Sequence, residues 1–238
     1  MAISFVAAGA YAVNNTVTTQ AITAPTLQAG DIMIACVLNR AASVTISAPD
    51  GTWNQIVQGT NDPGSGNHVY AIFWKLAAAG DSGASFTFSK SVDDNRTFGG
   101  VIGAWRGCLA SPLDATAAGI TETTSAADNA SFPAFNPTST AVEVIFVAFY
   151  SDNDTAFSAA MSADTNPDCT TRWELESATG NQSTIACTSG SNDGSNVAAR
   201  TWASNSTSDN ISTGVVFALV ASTIIPIAMR HYRQRRSN

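Results

Sequence analysis

Charge is scarce in this chain: Asp, Glu, Lys and Arg make up 12% of its 238 residues, about half the usual share. Lysine is almost absent, with only Lys75 and Lys90. Ala, Ser, Thr, Asn and Gly fill the polar positions instead. Such a neutral surface suits a densely packed assembly, and stable extracellular β-proteins share it. Disorder is excluded, because it needs low hydrophobicity and high charge, and here 45% of residues are hydrophobic. Histidine is limited to His68 and His231. Nucleophilic catalysis needs a base that takes the proton from Ser or Cys. His68 follows a Gly-rich turn, a pairing with Ser65 or another hydroxyl is open to it, and no GxSxG elbow exists. His68 therefore reads as a loop residue. Four cysteines, Cys36, Cys108, Cys169 and Cys187, show no CxxC spacing, so zinc is poorly supported. Cys169 and Cys187 bracket a hairpin around Gly180 that would not set them opposite each other, and no bridge is expected.

Three further chemistries find little support. Glu143 is the one acid within an apolar strand, and facing inward it would need a partner. An edge or a subunit contact is its expected place. Asp93-Asp94-Asn95 and Ser151-Asp152-Asn153-Asp154 concentrate oxygens of the kind calcium selects, yet neither has the spacing of a calcium loop, so both read as turns. Among five tryptophans, Trp74, Trp105 and Trp173 lie in strands where burial is the default. Trp53, after the Asp50-Gly51 turn, and Trp202, beside Arg200, are the candidate sugar platforms. No catalytic residue, metal ligand or cofactor is assigned.

Long helical periodicity is also missing. Short apolar or alternating segments recur instead, with Gly, Pro, Asn, Asp and Ser between them, the pattern of a sandwich or barrel. Ser85-Phe86-Thr87-Phe88-Ser89 and Arg172-Trp173-Glu174-Leu175-Glu176 alternate cleanly. Ile32 to Leu38 and Val142 to Tyr150 are continuously apolar except at Glu143, as strands covered on both faces are. The pattern predicts an all-β protein, an antiparallel β-sandwich of jelly-roll type with little or no helix. Residues 1–229 form one such domain, with the Thr121 to Thr138 segment as a crossover within it. No internal repeat is visible. The Phe86–Phe88 pair is expected to share a core with Ile72 and Trp74, and Gly30 and Gly51 to supply positive φ.

The N-terminus lacks the basic region of a signal peptide. Gly214 to Met229 is apolar and precedes arginines, as in a membrane anchor, but it is short of the ~20 residues a span needs. Pro226 interrupts it, so it reads as a final strand ending near Ile225. Residues 230–238 form a basic arm carrying Arg230, Arg233, Arg235 and Arg236. The remainder holds seven basic against 18 acidic residues, a balance of −11. That argues against nucleic acid, whose phosphates need Lys and Arg. The arm is either a solvated terminus or a docking element for an acidic neighbour.

The stretch from Gly30 to Ala115 runs GDIMIACVLNR, PDGTW, NHVYAIFWKLAAAGDSGASFTFS, GGVIGAWRGC and SPLDA. It resembles a β-sandwich domain of structural proteins in tailed-bacteriophage virions. In that family a Gly-Asp-led apolar strand, a Pro-Gly-Trp turn, an aromatic-basic strand end, a Phe-x-Phe strand and a Pro-small-Asp segment follow in this order. ISFVAAGA (Ile3 to Ala10) and TLQAGD (Thr26 to Asp31) fit as well. The likeness covers the first half well and the second only in style. It implies a non-enzymatic virion protein assembled in the bacterial cytoplasm. A capsid decoration or cement protein is preferred, its partners the major capsid protein and copies of itself. A tail or baseplate component holding a host-surface glycan is the alternative. Neither nucleic acid nor a membrane is an expected partner.

Overall fold

The computed structural model describes residues 2–41, 43–62, 67–115, 118–123, 129–151, 161, 166–177, 183–203 and 211–222. Every regular element among them is a strand. The first half supplies β1 (Ser4–Ala8), β2 (Ala12–Asn14), β3 (Thr19–Thr23), β4 (Ile32–Asn39), β5 (Ile46–Ser47), β6 (Asn54–Asn61), β7 (His68–Leu76), β8 (Ser85–Lys90) and β9 (Phe98–Arg106). The second supplies β10 (Cys108–Leu113), β11 (Gly119–Thr123), β12 (Ala130–Phe132), β13 (Val142–Ser151), β14 (Thr170–Glu176), β15 (Ser183–Asn192), β16 (Arg200–Trp202) and β17 (Ile211–Ala221). All pairings are antiparallel. The antiparallel sandwich expected from the strand pattern is the architecture found, and it is built twice.

The second half repeats the first strand for strand. One inner sheet runs β1-β9-β4-β7-β6, with β2 also on β9; the other runs β10-β17-β13-β15-β14, with β11 also on β17. Each has a small outer sheet, β3-β8-β5 in the first half and β12-β16 in the second. Chain order and pairing order therefore coincide throughout, except that β5 has no counterpart among the described residues. The repeat that the residues do not reveal is written in the pairing. Its clearest trace in sequence is a glycine on the last inner strand, Gly100 in β9 and Gly214 in β17. A Cβ on Gly100 would crowd Ile22 of β3 and the Cys36 carbonyl, and one on Gly214 would collide with the backbone of Ser131 in β12. Both glycines let the outer sheet come close.

Four layers follow, with three cores between them. In the central core the two inner sheets face each other: Ile34, Cys36 and Leu38 of β4 meet Ile145, Val147 and Phe149 of β13. Tyr70 stacks on Phe149 at 5.4 Å, and Trp105 meets Trp173 edge-on at 5.8 Å. The outer cores lie between each inner sheet and its own outer sheet. Every residue of β4 and β13 is buried, because each is a central strand covered on both faces. That is why neither shows an alternating pattern.

Two expectations are corrected here. Phe86 and Phe88 pack against Phe73, on the opposite face of β7 from Ile72 and Trp74. Period-2 alternation separated the two faces of β7 correctly, but both faces are apolar and only the layer order decides which one the Phe pair meets. Gly30 does adopt a φ of +91°, whereas Gly51 has no positive φ. The Asp50 carboxylate closes that turn, accepting the Thr52 amide at 2.8 Å and its hydroxyl at 2.5 Å. Of the Thr121 to Thr138 segment, β11 pairs with β17 and β12 with β16, and residues 124–128 lie outside the described residues.

The conspicuous sequence motifs interlock. Asp31 of the Gly-Asp pair takes two bonds of 2.8 Å from Arg106 at the end of β9. Trp53 of the Pro-Asp-Gly-Thr-Trp turn sits edge-on against Phe86 and Phe88 at 5.2 and 5.4 Å. Asp114 of the Ser-Pro-Leu-Asp segment accepts the Thr138 and Ser139 amides at 3.0 and 2.9 Å.

Candidate functional site

At the end of the first sandwich where β4 stops and β7 and β9 begin, three loops enclose a cleft of about 390 Å³. Arg40 and Ser43 line it from beyond β4, Asp62 and Asn67 from the β6–β7 hairpin, and Val92 and Arg96 from the β8–β9 loop. The loop bases are held firmly. The Arg40 amide donates to Thr97 O at 2.9 Å, and Asn67 Nδ2 donates to Asp62 Oδ1 at 2.7 Å. Asp94 organises the third loop: it accepts the Arg96 amide at 3.0 Å and Asn39 Nδ2 at 2.8 Å, and it pairs with Lys90. Burial opposes ionisation of Asp94, but Lys90, Asn39 and the Arg96 amide outweigh it and hold the carboxyl below the usual range. Asn95 beside it has a φ of 52°, a conformation Asn tolerates better than most residues.

The acidic run Asp93-Asp94-Asn95 lies in the β8–β9 loop. The buried Lys90 ammonium lies among Asp94, Asn39 Oδ1 at 3.1 Å and Arg96 O at 3.3 Å. Of the second acidic run only Ser151 is described; Asp152, Asn153 and Asp154 lie outside the described residues.

At the same end, deeper in, His68 joins the two halves. The ring is fully buried on β7, with Nδ1 2.9 Å from Ser151 Oγ on β13 and Nε2 2.9 Å from Thr213 Oγ1 on β17. Desolvation brings its pKa down to about 3, so the ring is neutral at ordinary pH. Nearby, Asn61 Nδ2 donates to Ser212 O at 3.0 Å. Tyr11 reaches Ser183 at 2.9 Å, and burial raises its hydroxyl to about 12. These bonds satisfy polar groups between sheets. A ring with no exposed atom does not meet a substrate. His68 is therefore a core histidine and not the loop residue its Gly-rich flank suggests. Ser65 lies outside the described residues.

Among the described residues, the opposite end of the inner sheets holds three ion pairs, Lys75 with Asp81, Arg106 with Asp31 and Arg172 with Glu143. Asp31 is buried beneath Arg106; burial opposes its ionisation, but the guanidinium and the Gln28 amide overcome that and keep its carboxyl low. Glu143 is not at an edge: it lies in the central strand β13, buried, and accepts Ser189 Oγ at 2.7 Å, Ser191 Oγ at 3.0 Å and Arg172 Nη2 at 3.2 Å. The inward-facing acid has the partners that burial demands. A second hollow, of about 370 Å³, lies at this end between Ile3, Val142, Asn192 and Ala221.

The proposed sugar platforms are not at the surface. Trp53 is 6% exposed and Trp202 only 1%. Trp53 fills the core between β7 and β8, and Trp202 lies under the second outer sheet. The alternation that carries Phe88 inward carries Trp202 inward as well. Arg230, Arg233, Arg235 and Arg236, together with Ile225 and Pro226, lie outside the described residues. All four cysteines are free thiols. Among the described residues no group of His, Cys, Asp and Glu is arranged to hold a metal ion, and no helix is long and apolar enough to cross a membrane.

Sequence reasoning missed Arg40 and Arg96. Their signal was an arginine just beyond each of two apolar strands in a chain with almost no lysine. Adjacency of those strand ends depends on β4 pairing with β9, residues Ile32–Asn39 with Phe98–Trp105, which no local pattern states.

No family model, no curated protein and no solved structure matches the chain.

Proposed function

We propose that the protein is a non-enzymatic structural component of a tailed-phage virion, most specifically a capsid decoration or cement protein that bridges neighbouring capsomers. The observation that carries this reading is the interlocking of the motif residues. Asp31 with Arg106, Trp53 with Phe86 and Phe88, and Asp114 with the Thr138–Ser139 turn all serve the fold. The residues that resemble the phage domain are therefore scaffold residues, as a structural role requires. The order β1/β2-β9-β4-β7 beside β3-β8-β5 supports a jelly-roll winding of each half, an architecture common in capsid proteins. Cohesion between copies would come from many weak contacts acting together, with the basic arm on the acidic body of a neighbour as one of them.

Mass spectrometry of purified particles tests the reading, with hundreds of copies expected. Absence from mature particles would overturn it, and small multiples of three or six would move the protein to the tail or neck. Deleting residues 230–238 should leave the isolated protein's stability nearly unchanged while loosening attachment to particles, more so at high salt. Full retention after the deletion removes the docking role of the arm. The alternative, a tail or baseplate component that holds a glycan, has lost Trp53 and Trp202 as platforms and now depends on the loop-end cleft.

A further inference from the structure

The outer strands of each inner sheet have one unpaired edge, and such an edge accepts another strand unless something blocks it. β14 is blocked by the charges of Arg172, Glu174 and Glu176 and by a bulge at Arg172. β10 contains Pro112 and β11 contains Glu122. β1 has only five residues, with a bulge between Phe5 and Ala7. β6 differs from all of these. Its eight residues, Asn54–Asn61, include neither a charge nor a proline. After a bulge at Ile56, Val57 to Asn61 run in regular register along β7. Among the described residues, no backbone hydrogen bond joins residues 54–60 to any segment other than β7. The central core also reaches the surface along this edge. Asn61 donates to Ser212 O at 3.0 Å, which sets β6 over β17. Ile56 and Val57 are half-buried against the central core. On the facing sheet, Ile120 of β11 pairs with Val215 of β17, a central-core residue, and so points to the same side; it is 40% exposed.

We propose that β6 pairs with β6 of a second copy of this chain, antiparallel, about a two-fold axis perpendicular to the sheet. An antiparallel edge is self-complementary, because its N–H and C=O groups match those of the same strand reversed. The first inner sheet then runs continuously through both molecules. Ile56, Val57 and Ile120 of each copy gain apolar cover from the other. A second copy brings an identical neutral edge and apolar seam, which a strand of another protein need not carry. Electrostatics favours the same approach. Each chain has a net charge of −7, and like-charged bodies meet most easily where their surface is neutral. The strand is also held in place beforehand. Gln58 Oε1 accepts the Ile46 amide at 3.1 Å, and the Tyr70 hydroxyl occupies the space beside Gly59. Such preorganisation lowers the ordering cost of association.

Sedimentation velocity of the full chain over a concentration series tests this, and a monomer–dimer equilibrium is expected. Amide hydrogen exchange in residues 54–60 should slow as the dimer forms. Thr60→Lys, at an exposed position, sets two ammonium groups near the axis and should weaken the dimer at least tenfold. The thermal midpoint of the dilute monomer should not move. Ile120→Asp should weaken the dimer as well, while Thr171→Lys on the blocked β14 edge should leave it intact. A chain that stays monomeric at every soluble concentration would overturn the proposal. So would an unchanged dimer in the folded Thr60→Lys and Ile120→Asp variants, or a dimer without protection of residues 54–60. Protection of a monomer's residues 54–60 only by another virion protein would also overturn it, since the edge would then take a foreign strand. Dimerisation is measured without particles, so its failure is separate from that of the virion reading.

Discussion

His68 shows how one residue can carry a property of the whole protein. Its folded pKa, near 3, lies far below the ordinary value of 6.5 because burial disfavours the charged ring. Between those values the unfolded chain holds a proton that the folded one does not. Stability is then complete above pH 6.5 and declines as pH falls towards 3, by about 1.4 kcal/mol per unit. Asp31 and Asp94 act in the same direction, but their folded pKa values are lowered, so their contribution is lost only below about pH 4. The interval from pH 6 to 4.5 isolates the histidine. Denaturant titrations should give a steep pH slope there for the wild type and a much shallower one for His68→Gln. Equal slopes would show that the ring is not the titrating group. Nothing in the sequence around His68 announces this, because the hydroxyls it meets are Ser151 and Thr213, distant in the chain.

At the scale of strands, two pairs of substitutions separate packing from turn geometry. Phe88 is fully buried against Trp53 and Phe73, and Phe88→Ala should cost ~3–5 kcal/mol. Ile22 and Val69 share its core, while Ile72 and Trp74 do not. A double-mutant cycle should therefore find Phe88 coupled to Phe73 but not to Trp74, and the reverse result would contradict the layer order. Gly214→Ala drives a methyl into the Ser131 backbone and should destabilise by ~1–3 kcal/mol. Gly51→Ala meets no atom within 4 Å at a φ open to any residue. It should be neutral or stabilise by up to about 1 kcal/mol through the unfolded chain. Chemical denaturation of the two alanine variants checks the contrast, and a harmful Gly51→Ala would restore the positive-φ explanation.

For the whole molecule the decisive feature is the shared central core. The inner faces of both inner sheets are buried against each other, so neither half keeps its hydrophobic face covered once the other unfolds. Differential scanning calorimetry should show one transition for the two sandwiches. Phe132→Ala, placed in the outer core of the second half, should lower that single midpoint rather than split it. Two separable transitions would mean that the halves are independent domains joined end to end. The His68 bonds and the Tyr70–Phe149 stack cross the same interface, which ties the pH response to this cooperativity.

Sequence alone determined the elements and their kind. Strand-length apolar runs punctuated by turn residues specify an all-β chain. Continuous burial of Ile32 to Leu38 and Val142 to Tyr150 was legible because a strand covered on both faces has no reason to alternate. Alternation at Phe86–Phe88 and at Trp173 fixed which side chains turn inward. Tertiary structure decided which inward face meets which layer, and therefore the duplication, the burial of Trp53 and Trp202, and the satisfied interior site of Glu143. It also brought Arg40 and Arg96 to one cleft. The physical reason is that side-chain alternation is a local, period-2 property, whereas antiparallel pairing joins segments far apart in the chain. Many different residues can fill the same paired, apolar position, so a repeated topology need not leave a repeated sequence.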